Sequence, residues 1–258
     1  MPGIQVVLFD LGGTLLHYEQ PPEHTFDAIN ARALHTFLTV AAQGGVRVPD
    51  PTLAVRAVGR MAAAIEAKSR RTHYASSAET IIREGLAAVQ IAVPERLWGP
   101  AMAAYDAAIS EIVQPVAGNP QAVLARLTEQ GRGLGLVSNT FWTPAMHDAD
   151  LARFGLLEYL PVRVYSCAAR FLKPDARIFR QALDRLDVAP AEAVFVGDKL
   201  DVDVAGPQKI GMRAVLVASP FRAEESDEIT PDARIETLDE LPALLERWDQ
   251  ALEPRPAQ

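Results

Sequence analysis

The sequence predicts an α/β protein: a doubly wound, Rossmann-like parallel sheet core with an inserted α-helical domain. Three observations predict it. A continuous apolar run, Ile4 to Phe9, opens the chain and stops at Asp10; such a run reads as a strand covered on both faces, as in a parallel sheet. From about Pro21 to Val113 apolar residues recur at helical spacing with no strand pattern among them. After Pro115, short apolar runs alternate with helical stretches, the order of a doubly wound sheet.

Gly12-Gly13 breaks the first strand. In the helical stretch, Phe26, Ile29, Ala33, Phe37 and Val40 recur at helical spacing, and Gly44-Gly45 ends that helix. Asp50-Pro51 reads as N-cap and first residue of a second helix, reaching about Lys68. Ser76 followed by Glu79 reads as a capping box for a third. Pro94 opens a fourth, carrying Leu97, Met102, Tyr105 and Ile109. Beyond these, Asn119-Pro120 starts a helix through Gln130, and Leu134 to Val137 is a strand ending at Ser138-Asn139. Thr143-Pro144 starts a helix reaching about Phe154, Val162 to Tyr165 is strand-like, and Asp175 to Leu186 is a helix. Ala193 to Val196 is a strand ending at Gly197-Asp198; a helix to about Ile210 and a strand from Ala214 to Val217 follow. Asp239 to Trp248 closes the chain as a helix. The expected domains are 1–17 with 113–258 for the core and 18–112 for the helical insert. Glu253 to Gln258, polar and Pro-rich, reads as a disordered tail.

The chain has 258 residues, 49% of them hydrophobic, which is enough for a substantial core. Its formal net charge of −8 repels nucleic-acid phosphates and anionic membranes at long range. Neither is an expected partner. A small phosphorylated molecule remains open, because one anion needs only local donors and a cation. The single cysteine, Cys167, makes no intrachain disulfide or structural zinc site and reads as a small buried hydrophobe. Met1-Pro2-Gly3 carries no basic segment, and Ile4 to Phe9 is too short for a signal peptide or a membrane span, so a cytoplasmic location is expected.

Three predicted strands end in polar groups: Asp10, Ser138 and Asp198. Ligands of open parallel sheets bind at the carboxyl ends of strands, so topology alone brings these three together. Two carboxylates and a hydroxyl suit a hard cation and a phosphate.

The same residues lie in motifs. Phe9-Asp10-Leu11-Gly12-Gly13-Thr14-Leu15 resembles the first motif of the haloacid-dehalogenase-like superfamily, and Val137-Ser138-Asn139 resembles its second. Lys173-Pro174-Asp175, followed by Ile178-Phe179, resembles its third. Val196-Gly197-Asp198 with Asp203, Gly206 and Gly211-Met212 resembles its fourth. The helical insert stands where that family places its cap, between the first and second motifs. The resemblance implies a Mg²⁺-dependent hydrolase, a phosphatase in which Asp10 attacks phosphorus and becomes an aspartyl-phosphate. It implies Mg²⁺ held by the Asp10 carboxylate, the Gly12 carbonyl and Asp198, with Asp203 contacting a ligand water or orienting its neighbours. Ser138 and the Asn139 amide would bind the phosphoryl oxygens, and Lys173 would balance charge between Asp10 and the phosphoryl group. Thr14 is placed to hydrogen-bond within the nucleophile loop and joins the candidate substrate-binding residues. Asp201 reads as a helix N-terminal carboxylate and Lys199 as a partner for a nearby carboxylate.

One position departs from the family pattern. Its phosphatases usually carry a second Asp two residues after the nucleophile, which protonates the leaving group and later activates water; here that position is Gly12. General acid–base help is worth about 10²–10⁴-fold. Three readings stay open: a substrate with a good leaving group, such as an acyl or aryl phosphate; a substitute group, with His17, Glu19 and His24 nearest in sequence; or a non-catalytic phosphate-ligand binding protein. The family's dehalogenase branch also lacks the second Asp but commonly has Ser where this chain has Asp198, which favours magnesium chemistry here. The phosphonate-cleaving branch needs a cap lysine, and Lys68 is the insert's only one. A phosphate-binding P-loop and a dinucleotide-binding glycine pattern are both absent. In the cap, Arg70, Arg71, His73 and Tyr74 form the most polar loop and either face solvent or meet an anionic substrate tail; Trp142 either lines the cleft or packs in the core.

Overall fold

The computed structural model describes residues 3–18, 25–219, 226 and 228–251. Pro21, Glu19, His24 and the tail from Glu253 to Gln258, all singled out above, lie outside the described residues.

In chain order the elements begin with β1 (Val6–Phe9), β2 (Leu16–His17), α1 (Phe26–Gln43), α2 (Pro51–Thr72), α3 (Ala78–Ala87), α4 (Glu95–Ser110) and β3 (Gln114–Pro115). There follow α5 (Pro120–Glu129), β4 (Gly133–Ser138), α6 (Pro144–Arg153), β5 (Val162–Tyr165), α7 (Ser166–Ala169) and α8 (Ala176–Leu186). The chain closes with β6 (Ala193–Gly197), α9 (Ala205–Gln208), β7 (Arg213–Val217), β8 (Ala233–Ile235) and α10 (Leu241–Gln250). It separates into two compact units. One comprises Met1–His17, Pro115–Asn139 and Leu151–Gln258; the other comprises Tyr18–Gln114 and Thr140–Asp150.

The first unit is built on six parallel strands in the order β5-β4-β1-β6-β7-β8. The fold is therefore the predicted α/β class. Connections run outward on both sides of β1, which makes its carboxyl end the switch point of the sheet. Phe9 pairs with Leu136 and with Val196, and the Asp10 N–H donates to the Val196 carbonyl at 2.9 Å. Extending that register sets Asp10 level with Val137 and Gly197, one residue short of Ser138 and Asp198. All four residues of β1 are buried, as a strand covered on both faces requires. On one face, α8 buries Ile178, Phe179, Ala182 and Leu183 against Val6, Leu8, Val137, Val164 and Phe195. Asp175 caps that helix, accepting from the Arg177 N–H at 2.9 Å.

Two short elements carry no readable period in the sequence. β8 is a three-residue edge strand, fixed from outside by Asp232, whose Oδ2 accepts from the Ala214 N–H at 2.8 Å. The single helix expected after Asp198 is instead a π-helical turn, Leu200–Val204, leading into α9. The wide turn buries Leu200, Asp203 and Val204 while Asp201 stays exposed.

In the helical unit, α1 packs on α4 and α2 on α3. Asp50 caps α2 as its sequence predicts, accepting from the Leu53 N–H at 3.0 Å. The cap of α3 is Ser77 rather than Ser76: its Oγ accepts from the Thr80 N–H at 3.2 Å, so the expected pairing with Glu79 is displaced by one residue. Helix α2 continues one turn past Lys68 and stops where His73 turns left-handed at φ 55°. Among the described residues no helix is long and apolar enough to cross a membrane.

Candidate active site

The carboxyl ends of β1 and β6, with the π-helical turn after β6, deliver three carboxylates to one buried place. Oxygens of Asp10, Asp198 and Asp203 lie within 4.8 Å of one another. Into this group comes Lys173, from the loop before α8. Its Nζ lies 2.7 Å from Asp10 Oδ1 and 2.8 Å from Asp203 Oδ1, with the lysine side chain 1% exposed. Burial pulls the Lys173 ammonium towards its neutral form, but Asp10 and Asp203 more than offset this and hold its pKa above the ordinary lysine value. Burial pushes the Asp203 carboxyl well above its ordinary range despite the ammonium beside it, with the Asp10 and Asp198 charges adding to the rise.

Lys173 is held from behind. Its N–H donates to Asn139 Oδ1 at 2.7 Å and its carbonyl accepts from Asn139 Nδ2 at 3.0 Å. The Asn139 side chain is thus a two-point clamp on the lysine's main chain. Asp203 is held too: its Oδ2 accepts from the Lys199 N–H at 3.1 Å. The part Lys199 plays with a carboxylate is therefore a main-chain one. The approach of Asp203 requires glycine at 197, where a Cβ would stand 2.5 Å from the Asp203 Cβ. Gly13 is equally constrained. It turns left-handed at φ 88°, and a Cβ there would stand 2.3 Å from Asp198 Oδ2. In the loop after Asp10, the close approach of Asp198 depends on the conformation and missing side chain of Gly13.

These donors fit a hard divalent cation. Two carboxylates within 4.8 Å of each other repel by roughly 3 kcal/mol or more at the effective dielectric of protein sites, and one ammonium offsets only part of three such charges. Carboxylate oxygens are the ligands magnesium takes. Asp203 has both oxygens engaged, by Lys173 and by Lys199, so the carboxylates of Asp10 and Asp198 are the better placed to ligate. Ser138 is buried at the end of β4. Thr14 is fully buried, and its Oγ1 makes no hydrogen bond among the described residues, in place of the loop bond expected of it.

A family model of haloacid dehalogenase-like hydrolases matches residues 4–211. The chain belongs to this family. It is 35% identical over 127 residues to a phosphoserine phosphatase of Thermus thermophilus, covering 49% of this chain and 50% of that one. It is 34% identical over 159 residues to a ribulose-1,5-bisphosphate 5-phosphatase of Halopiger xanaduensis, covering 57% and 64%. The chain thus spans about half to two-thirds of the length of these curated relatives. A solved 2-haloacid dehalogenase of Pseudomonas syringae pv. Tomato superposes with a TM-score of 0.69 at 25% identity, over 95% of this chain and 99% of that one.

Elsewhere in this haloacid dehalogenase-like chain, the other sequence candidates fall as follows. Arg70 and Arg71 belong to the last turn of α2 rather than to a loop, and Arg70 pairs with Glu66 at 2.7 Å. His73 and Tyr74 follow that helix end, and Tyr74 is exposed. Lys68 is exposed, and His17 is half-buried at the end of β2. Burial pushes the Cys167 thiol up to about 11, which suits an unreactive side chain. Trp142 is buried in the helical unit, where its Nε1 donates to Asn30 Oδ1 at 2.9 Å.

Sequence reasoning missed a second buried polar centre, in the helical unit. Tyr18 Oη lies 2.8 Å from His147 Nδ1, and Thr140 Oγ1 lies 2.8 Å from His147 Nε2. Tyr105 Oη donates to Asn30 Oδ1 at 2.7 Å, and Thr143 Oγ1 donates to Asp106 Oδ2 at 2.5 Å. No local signal marks these partners, since Tyr18 and His147 are 129 residues apart.

Proposed function

We propose that the protein is a magnesium-dependent phosphatase acting on a small phosphorylated molecule with a good leaving group. The observation that carries this reading is the buried group of Asp10, Asp198 and Asp203 around Lys173. An Asp10 oxygen attacks phosphorus, the phosphorus–leaving-group bond breaks, and an aspartyl-phosphate forms. Water then attacks that phosphorus, releasing inorganic phosphate and restoring the carboxylate. Mg²⁺, ligated by Asp10, Asp198 and the Gly12 carbonyl, would supply neutralisation of the phosphoryl charge. Lys173 steadies Asp10 and offers its ammonium to the same oxygens, while Ser138 and the Asn139 main-chain amide bind the remaining ones. Because the Asn139 side chain is taken up by Lys173, its main-chain N–H is the group assigned to phosphate.

The phosphatase names of the relatives support phosphoryl transfer, and Asp198 supports a metal. Glycine at 12 leaves no acid at the position where the family's phosphatases keep one, so the leaving group departs without a proton from that site. With Mg²⁺, p-nitrophenyl phosphate and acetyl phosphate are expected to turn over at least about tenfold faster than a sugar phosphate. A phosphate-release panel with and without Mg²⁺, run beside a halide-release assay on 2-haloacids, tests this. Equal rates on both ester classes would remove the account of Gly12, and metal-independent halide release would replace the phosphatase reading. Gly12→Asp is expected to raise the sugar-phosphate rate while leaving the activated esters little changed.

A further inference from the structure

The chain passes from the first unit into the helical unit between His17 and Tyr18, and again between Asn139 and Thr140. The first residue after each of these passages is bound to the same imidazole. Tyr18 Oη meets His147 Nδ1 and Thr140 Oγ1 meets His147 Nε2, both at 2.8 Å. His147 is 2% exposed and Tyr18 7%. The rings pack as well: Tyr18 stands edge-on to His147 at 5.2 Å and tilted on Trp142 at 5.3 Å. The Trp142 main-chain N–H donates to Thr140 Oγ1 at 3.0 Å. In either neutral tautomer one ring nitrogen donates and the other accepts, so both contacts are hydrogen bonds.

We infer that His147 is a positioning residue for the active site: it ties the two segments that leave the nucleophile loop and the Ser138-Asn139 loop. The chain of contacts is short. His147 holds Thr140; Thr140 is one peptide bond from Asn139; the Asn139 side chain clamps the main chain of Lys173; Lys173 Nζ holds Asp10. On the other side His147 holds Tyr18, one residue past β2, which ends the segment begun by Asp10. An imidazole with both nitrogens engaged is a rigid two-ended strut. Asn139 is fixed at one end by Lys173 and at the other by this strut. A displacement of about 1 Å in a catalytic group can cost on the order of 10²-fold in rate, so loosening one end is expected to be felt in kcat. The kinetic part of this inference rests on the phosphatase reading; the mechanical part does not.

The test uses Tyr18→Phe, Thr140→Val and their combination, which keep side-chain volume, with His147→Gln and His147→Phe beside them. Two quantities are measured: kcat and KM on p-nitrophenyl phosphate with Mg²⁺, and amide hydrogen exchange across residues 11–18 and 138–142. Each single change is expected to lower kcat about five- to tenfold with KM within about twofold. The double variant falls no more than about twofold further, because releasing either end frees the strut. His147→Phe matches the double variant, and His147→Gln, which keeps a polar contact to Thr140, recovers part of the loss. Tyr18→Phe speeds exchange at 138–142, and Thr140→Val speeds it at 11–18. Losses that multiply, or exchange changes confined to the mutated segment, overturn the inference. If the wild-type protein releases no phosphate from any ester but the exchange at each segment responds to the other's substitution, the strut stands and the phosphatase reading falls.

Discussion

The two units each bury a polar centre, and they solve the problem in opposite ways. In the sheet unit the buried groups are charged: three carboxylates and one ammonium, with the Lys173 side chain 1% exposed and that of Asp203 fully buried. In the helical unit they are mainly neutral, with Tyr18, His147, Thr140, Asn30, Trp142 and Tyr105 satisfying one another through hydrogen bonds of 2.7–2.9 Å. A hydrogen-bonded network of this kind holds a shape. A charged cluster with more anions than cations is incomplete, and its stability depends on what binds there. On the proposed reading, the difference separates a place that reacts from a place that positions.

The largest effect is expected at Asp10, the proposed nucleophile. Asp10→Asn is isosteric and keeps an oxygen for Lys173, so the fold should persist by circular dichroism while kcat on p-nitrophenyl phosphate falls roughly 10⁴-fold or more. Unchanged turnover would break the comparison outright, by removing reactivity from the charged centre.

Next comes its charge balance. Lys173→Met leaves the three carboxylates facing one another without their ammonium. Losing one member of a buried, bonded ion pair costs about 3–5 kcal/mol. Urea denaturation at pH 7 without metal should show a loss of that size, and added Mg²⁺ should recover part of it by binding the folded state. A loss under about 1 kcal/mol would mean that Lys173 does not carry the balance, and the two centres would then differ less than their composition suggests.

The same contrast governs what could be read in advance. Asp10, Ser138 and Asp198 are legible because each ends an apolar run, and a parallel sheet collects strand ends at one edge. Lys173 has no such signature; a lysine before proline is an ordinary loop residue, and only its motif places it. The clamp of Asn139 on Lys173 joins residues 34 apart, and the His147 contacts join residues 129 and 7 apart, so neither follows from local periodicity. The helix boundaries show the same limit at short range. Ser76 and Ser77 are chemically identical candidates for one cap, and the backbone entry into α3 selects the second. In the loop after Asp10, Gly12 draws attention because the family's phosphatases usually carry a carboxylate there; the structure adds that the approach of Asp198 constrains Gly13.

The smallest effect sharpens the comparison from the helical side, through a carboxyl beside that network, Asp106, which Thr143 binds. Burial pushes the Asp106 carboxyl from its ordinary 3.8 up to about 6; the hydrogen bond from Thr143 opposes the rise and the charge of Asp150 adds to it. A carboxyl whose folded pKa exceeds its unfolded value binds its proton more tightly in the folded chain. Stability therefore falls as pH rises from about 4 to about 6, and the penalty is complete above that range. A gap of this size is worth up to roughly 3 kcal/mol, and the partial exposure of Asp106 screens it to about 1 kcal/mol. Asp106→Asn keeps an acceptor for the Thr143 hydroxyl and removes the charge. It should raise the unfolding temperature by about 2–4 °C at pH 8, with the gain vanishing by pH 4. A gain that persists at pH 4 would come from packing rather than ionisation. A loss at pH 8 would mean that the carboxylate is stabilised by its surroundings, and that the helical unit, like the sheet unit, is built around a charge.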